Sequence, residues 1–469
     1  MESAMQANPH ADPFLTTPIN PRNYIRAFLG IWAVYGSLLF GMHYFMLDLY
    51  VNDFLERNWL AGIESPHKGP ISIVCVLVIA HLCGTGRRRV GDAMLTMLAV
   101  FPILPMIALY SYRGSAPDYV AMIMAIYIGM WIFQKLNIQI RTPKKWAFIP
   151  SRRFINISIG LTIFFILTSI YQGNLSVLNF DFTEVYEYRR EATSLRSPQL
   201  ERLMLYLTGL LVPFSLAMLL KHRDFTRFFA LVALTLLLFG LSSQKSYAFI
   251  PVFVFLFYYC LRSRLGASAL LLGASATILI SVLMYLVDEQ TAFLATLTTR
   301  RMFFVPAYAN FLYHDFFSVS SHMYWADSRI SLGLVHNPYG MSVPQLIMYV
   351  YSDLNEIMRH GVATMGSANA NTGFLGAGYA HAGLLGMAIY GLLISGLLSF
   401  ANVLQKKLGF AAAGAMTSHL FISVFFASSD TLTAFMSYGG VMVPLLAIFI
   451  KDEEHVPVQQ SAMLPRLAA

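Results

Sequence analysis

Apolar residues run along this chain in long blocks separated by short polar stretches, and the length of the blocks sets the first expectation. About 20 apolar helical residues cross the roughly 30 Å of hydrocarbon in a bilayer. Windows of that kind fall near 27–48, 70–85, 92–112, 118–135, 154–173, 203–220, 227–242, 247–262, 267–287, 377–404, 409–427 and 432–450. The second and seventh are short for a bilayer. The pattern predicts an all-α polytopic membrane protein of about 12 transmembrane helices. It divides into a polar tail (1–26), nine helices over 27–287 interrupted by a loop at 174–202, a long loop at 288–376, three helices over 377–450, and a second tail (451–469).

Composition agrees with lipid as the solvent. Hydrophobic residues make up 57% of the chain and charged residues 12%, about half the charged share usual in soluble domains. The net charge of +8 is then read first as a topology signal and not as a nucleic-acid footprint. The basic clusters Arg87-Arg88-Arg89, Lys144-Lys145 with Arg152-Arg153, Lys221 with Arg223 and Arg227, Arg262 with Arg264, and Lys406-Lys407 fall in alternate loops. Those loops are expected to be cytoplasmic, which puts both termini inside and the long 288–376 loop outside. The N-terminal segment is polar and Pro-rich, a poor match to a cleaved signal peptide, so the first span is expected to be retained. Cys75, Cys83 and Cys260 sit in apolar runs and predict neither a disulfide framework nor a metal site.

Within the long loop, Val343, Leu346, Ile347, Val350, Tyr351, Leu354, Ile357 and Met358 recur at helical spacing. Ser342 and Gln345 have capping-box spacing at the start and Gly361 follows the end. The segment is too short and polar to span, so an amphipathic helix on the membrane surface or against the bundle is expected.

The outer loops should be poor in Arg and Lys, yet they hold Arg189, Arg190, Arg196, Arg202, Arg300, Arg301, Arg329 and Arg359, with Lys245 in a short outer turn. Guanidinium groups grip phosphate oxygens bidentately, so these cations are candidates for an anionic headgroup such as a lipid-linked diphosphate. The neighbouring acids Asp181, Glu184, Glu187, Glu191 and Glu201 offer the alternative of internal pairing, and Lys245 that of a snorkelling lysine. From Arg300 to Asp327 the chain is crowded with rings, which serve either sugar stacking or the membrane interface. His314, Asp315, Asp327 and His336 are titratable groups there, each a candidate base for a hydroxyl or a solvated loop residue. His381 lies in a glycine-rich passage, Ala368 to Gly386, at the entry to the tenth span, either functional or hydrogen-bonded between helices.

Three passages give the chain a family likeness: Glu184–Ser194 (EVYEYRREATS), Arg300–Ser318 (RRMFFVPAYANFLYHDFFS) and Asn371–Gly391 (NTGFLGAGYAHAGLLGMAIYG). With two major outer loops in the middle and later chain, it resembles the Wzy-type oligosaccharide repeat-unit polymerases (O-antigen polymerases) of bacterial inner membranes. Some members carry an Arg, ten residues, then Gly in both loops; Arg329 and Gly340 have that spacing, and no arginine of the first loop does. The resemblance implies a GT-C-like polymerase or ligase architecture and a metal-independent, cofactor-free glycosyltransferase. Its donor and acceptor would be undecaprenyl-diphosphate-linked oligosaccharides, with the active face periplasmic and a chain-length regulator as a partner to consider. Arg189, Arg190, Arg196, Lys245, Arg300, Arg301 and Arg329 would hold the diphosphate, and His336, Asp315 or His314 would supply the base. A ligase with the same donor, or a flippase of lipid-linked sugars, stays open. On the polymerase reading, separate alanine changes at Arg190, Arg300 and Arg329 shorten the surface polysaccharide on a gel; unchanged length in all three removes the diphosphate role.

Overall fold

In the computed structural model, residues 20–42, 68–112, 117–136, 138, 140, 143–181, 185–287, 296–328, 331–351 and 370–451 are described. Among them every extended regular element is helical, with one isolated bridge pairing Ile149 and Ile450. In chain order these are α1 (Pro21–Gly41), α2 (Lys68–Gly84), α3 (Val90–Ser111), α4 (Pro117–Lys135), α5 (Ser151–Tyr171), α6 (Val185–Leu195), α7 (Pro198–His222) and α8 (Phe225–Ser242). Then come α9 (Lys245–Arg262), α10 (Ala267–Val287), the wide-turned Thr296–Phe304, α11 (Val305–Phe317), α12 (Val343–Tyr351), α13 (Phe374–Leu408), α14 (Phe410–Phe426), α15 (Thr431–Ser437) and α16 (Met442–Phe449).

Among the described residues each apolar window overlaps helix, but not all the helices are long and apolar enough to cross a bilayer. Among the described residues eight are, namely α1, α3, α4, α5, α7, α8, α10 and α13; α15 and α16, bent by 49°, make a ninth if taken as one span. α2 and α14 are shorter apolar helices. The molecule is therefore a polytopic helical membrane protein. Phe164, Leu167, Phe229 and Leu283 turn outward from α5, α8 and α10, the faces that lipid covers. The middle of the bundle is α3, whose apolar stretch is wholly buried, with most of α7. α1 packs on α2 and α10, α14 on α7 and α9, and α13 on α4, α11 and α16.

One end of the bundle is tied by a buried polar knot. The Arg89 Nε lies 3.3 Å from Asp92 Oδ2, both side chains buried, and an Arg89 Nη2 donates to the Gln134 carbonyl at 3.2 Å. Asn402 Nδ2 donates to Gln134 Oε1 (3.1 Å), while its own Oδ1 accepts the Gly91 amide (2.8 Å). Gln405 accepts the Val90 amide and donates to the Arg88 carbonyl. These bonds occupy the first amides of α3, which have no partner within their own helix, and fasten α3 to α4 and α13.

At the other end α13 is not one rod. Ala382 (φ −155°, ψ 35°) and Gly383 (φ 58°, ψ −140°) leave helical geometry. A Cβ on Gly386 would lie 2.0 Å from the Gly378 carbonyl oxygen, and residues eight apart in a continuous helix are roughly 12 Å apart. The stretch Phe374–His381 thus doubles back against the start of the long segment that runs to Leu408. The expected tenth span at 377–404 has its counterpart in α13, with its first part, up to the break at Ala382–Gly383, a short helix folded onto the longer segment. The amphipathic helix is found as α12, where Gln345 Oε1 accepts from the Ser342 amide (3.3 Å) and hydroxyl (2.9 Å); its predicted part beyond Tyr351, with Arg359, lies outside the described residues. The close approach predicts that Gly386→Ala lowers the unfolding midpoint in detergent. Gly396→Ala, with open space around it on the same helix, leaves the midpoint unchanged or slightly raised. Equal effects would remove the hairpin.

Candidate functional site

The helix break exposes two backbone acceptors, and a neighbouring turn takes them. Met323 and Tyr324 donate their amides to the carbonyls of Ala380 and His381, each at 3.0 Å. The turn continues through Tyr324 (φ 44°) and Trp325 (φ 61°), left-handed backbone that costs a non-glycine residue about 1–2 kcal/mol. Two such residues in succession persist only where surrounding contacts hold them. Trp325 is held by its ring, which lies on the His381 imidazole with centroids 5.4 Å apart and planes 19° apart. Its Nε1 donates to the Tyr390 hydroxyl at 2.8 Å.

His381 is buried, and it sits between two carboxylates. Its Nε2 is 3.3 Å from Asp430 Oδ1, and its Nδ1 is 4.0 Å from Asp327 Oδ1. Asp430 also accepts from the Tyr390 hydroxyl, and its Oδ2 caps α15 by accepting the Thr433 amide at 3.0 Å. Burial pushes the Asp430 carboxyl up, but the His381 hydrogen bond and charge, the Tyr390 hydroxyl and the Thr433 amide outweigh it and hold the group below the usual carboxylate range. Asp327 is fixed from its other oxygen, which accepts the Val343 amide at the start of α12 (3.0 Å). His381 Nδ1 is buried and makes no hydrogen bond.

A second histidine is placed in a related way. His314, buried on α11, has Nε2 3.6 Å from Asp118 Oδ2 and Nδ1 3.7 Å from Asp315 Oδ1, and neither nitrogen makes a hydrogen bond. Tyr119 stacks on it at 4.5 Å and Tyr379 leans on it at 4.9 Å. Tyr379 also meets His322 (5.7 Å), which meets Tyr324 (6.2 Å). Rings and carboxylates thus form a continuous belt from α4 and α11 to the α13 break. Among the described residues no set of three His, Cys, Asp or Glu is arranged to hold a metal ion.

Of the residues singled out in the sequence, the structure brings His314 and Asp315 together and leaves His336 elsewhere. His336 is exposed in a loop and makes no hydrogen bond or ion pair with either cluster. Arg189 and Arg190 lie on α6. Arg196, just after α6, is buried and engaged internally: it donates to the Ala192 carbonyl (3.1 Å) and Met204 Sδ (2.9 Å), and its Nε is 3.4 Å from Glu201 Oε2. Its geometry is that of internal pairing. Lys245 opens α9, half-buried. Arg300, half-buried, and Arg301, exposed, lie in Thr296–Phe304. Arg329 lies outside the described residues.

Sequence reasoning missed Asp118, Tyr119, His322, Tyr379, Tyr390 and Asp430. Asp430 had a readable signal, since an acid in a short turn before an apolar helix, with Thr433 three residues on, has N-cap spacing. Tyr390 had none, being one aromatic ring inside an apolar window. Comparison with known proteins adds no relative: no family model, curated protein or solved structure matches this chain.

The lowered Asp430 carboxyl makes a signed prediction. A group depressed by folding contributes stability above its unfolded value, near ~3.9 for Asp, and that contribution is lost as pH falls through the folded value. Wild type should unfold at a higher temperature than Asp430→Asn at pH 7, with the gap closing below about pH 4. A gap independent of pH contradicts the assignment.

Proposed function

We propose that this protein is an integral-membrane glycosyltransferase that joins undecaprenyl-diphosphate-linked oligosaccharide repeat units at the periplasmic face of a bacterial inner membrane. It would be a polymerase of about twelve spans with a GT-C-like architecture. The observation that carries the reading is the belt of histidines, carboxylates and aromatic rings, with His314 and His381 buried in it, at one end of the bundle. Sugar hydroxyls ask for carboxylate and imidazole acceptors, and sugar rings stack on aromatic faces. The bundle offers both beside hydrocarbon, where a polyprenyl tail is at home.

The position of charge supports surface chemistry over transport. In the described spans the carboxylates, lysines and arginines lie toward helix ends, as in the Arg89–Asp92 pair near the start of α3 and Asp118 at the start of α4. A path through the bilayer would draw such groups into the middles of spans. Arg189, Arg190, Lys245, Arg300, Arg301 and Arg329 are the cations assigned to the lipid diphosphate, where they would offset the charge that builds on the leaving group. Arg196, given its internal partners, would position α6 instead.

Deletion of the gene separates the readings. A polymerase loss leaves surface lipid capped with single repeat units. A strain with no capped lipid at all points to a ligase or flippase, and a strain with unchanged chain length overturns the proposal.

A further inference from the structure

We infer that His381, held by Asp430, takes the proton from the acceptor sugar, and that its Nδ1 with Asp327 Oδ1 receives neighbouring hydroxyls of that sugar. This rests on the transferase reading and names the residues that carry it out. Of His314, His322, His336 and His381, His381 alone has, among the described residues, a carboxylate oxygen within hydrogen-bond distance of a ring nitrogen. Its Nε2 faces Asp430 Oδ1 at 3.3 Å, an ionised acceptor that calls for the proton on Nε2. The lone pair is then on Nδ1, which makes no protein hydrogen bond. His314 has both nitrogens without hydrogen bonds and rings stacked against it; His336 is exposed and outside the belt.

The spacing fits a diol. Nδ1 and Asp327 Oδ1 are 4.0 Å apart, too far to bond each other. A neighbouring pair of hydroxyls, one oxygen about 2.8 Å from Nδ1 and the other about 2.8 Å from Oδ1, would match that separation. The Asp327 and Asp430 side chains are 15% and 21% exposed, whereas Nδ1 is enclosed, so the acceptor would enter from the carboxylate edge by displacing the groups that cover Nδ1. The strained Tyr324–Trp325 turn covers the ring face, with Tyr324 itself 56% exposed beside it. The groups facing His381 are Asp430 before α15, Tyr390 on α13, and Trp325 and Asp327 on the turn; His322 approaches Gly383.

The step balances without a co-reactant. The acceptor oxygen forms a bond to the anomeric carbon of the donor glycan. The bond from that carbon to the diphosphate oxygen breaks, and its electron pair leaves with the lipid diphosphate. The hydroxyl proton passes to Nδ1, and solvent removes it along the carboxylate edge. Asp430 is a positioning residue; His381 and Asp327 touch substrate.

The test uses the full chain in lipid nanodiscs, supplied with lipid-linked glycan extracted from cells lacking this protein. His381→Gln should lower kcat by about 100-fold or more, the span of general-base catalysis, with the unfolding midpoint retained, and free imidazole should restore activity to His381→Ala. Asp327→Asn should raise the acceptor KM, and Asp430→Asn should lower kcat with KM unchanged. A wild type that forms no polymer overturns the transferase reading itself. A wild type that polymerises, beside His381→Gln within about threefold of its rate, overturns only the base assignment. If His381→Gln does not fold, Asp327→Asn decides: an unchanged acceptor KM overturns the diol site.

Discussion

A helix that breaks near hydrocarbon must find partners for the carbonyls it frees, because lipid offers none. In this protein that requirement falls at Ala382–Gly383. The carbonyls of Ala380 and His381 accept the amides of Met323 and Tyr324, and that pairing does more than satisfy the backbone. It draws the 323–328 turn over the helix end, sets Trp325 on the imidazole, and brings Asp327 to the far side of the ring. The hairpin itself stands on the absence of side chains at Gly378 and Gly386, where a single Cβ would collide with backbone. The site is a consequence of how the break is repaired.

The two ends of the bundle use polar groups differently. At one end the Arg89–Asp92 pair and the Gln134, Asn402 and Gln405 amides are all spoken for within the protein. A fully satisfied knot fixes register, and removing one partner of a buried ion pair costs about 3–5 kcal/mol. At the other end His314 and His381 keep nitrogens without hydrogen bonds beside carboxylates. Buried polar groups left in that state are costly, and in the proposed reaction the acceptor sugar would complete that of His381. The long segment of α13 joins the two ends, since Asn402 and Gln405 anchor it at the knot while Tyr390 reaches Asp430. The proposed chemistry is thereby set on a rigid base.

What could be read in advance was what depends on neighbours in sequence. Apolar windows marked the helices because a run of apolar residues is a local property, and the Ser342–Gln345 pair was legible because its partners are three residues apart. The break in α13 was not, since its cause is contact between turns that the apolar pattern treats as one rod. The site was half legible. His314, Asp315, Asp327 and His381 stood out as ionisable groups in apolar or aromatic surroundings. Their grouping did not, because Asp118 with His314, or Asp430 with His381, meet only when helices far apart in sequence pack. His336 looked equivalent on the page, and only the structure sets it apart as an exposed loop residue. Arg196 likewise resembled its neighbours until its partners were seen.

The most direct test is a cryo-electron microscopy map of the protein in nanodiscs with lipid-linked glycan bound. Sugar density within hydrogen-bond reach of His381 Nδ1 and Asp327, beside the Tyr324–Trp325 turn, is the result expected. Glycan density at any other place on the bundle, with the His381 cluster unchanged and empty, would contradict the account.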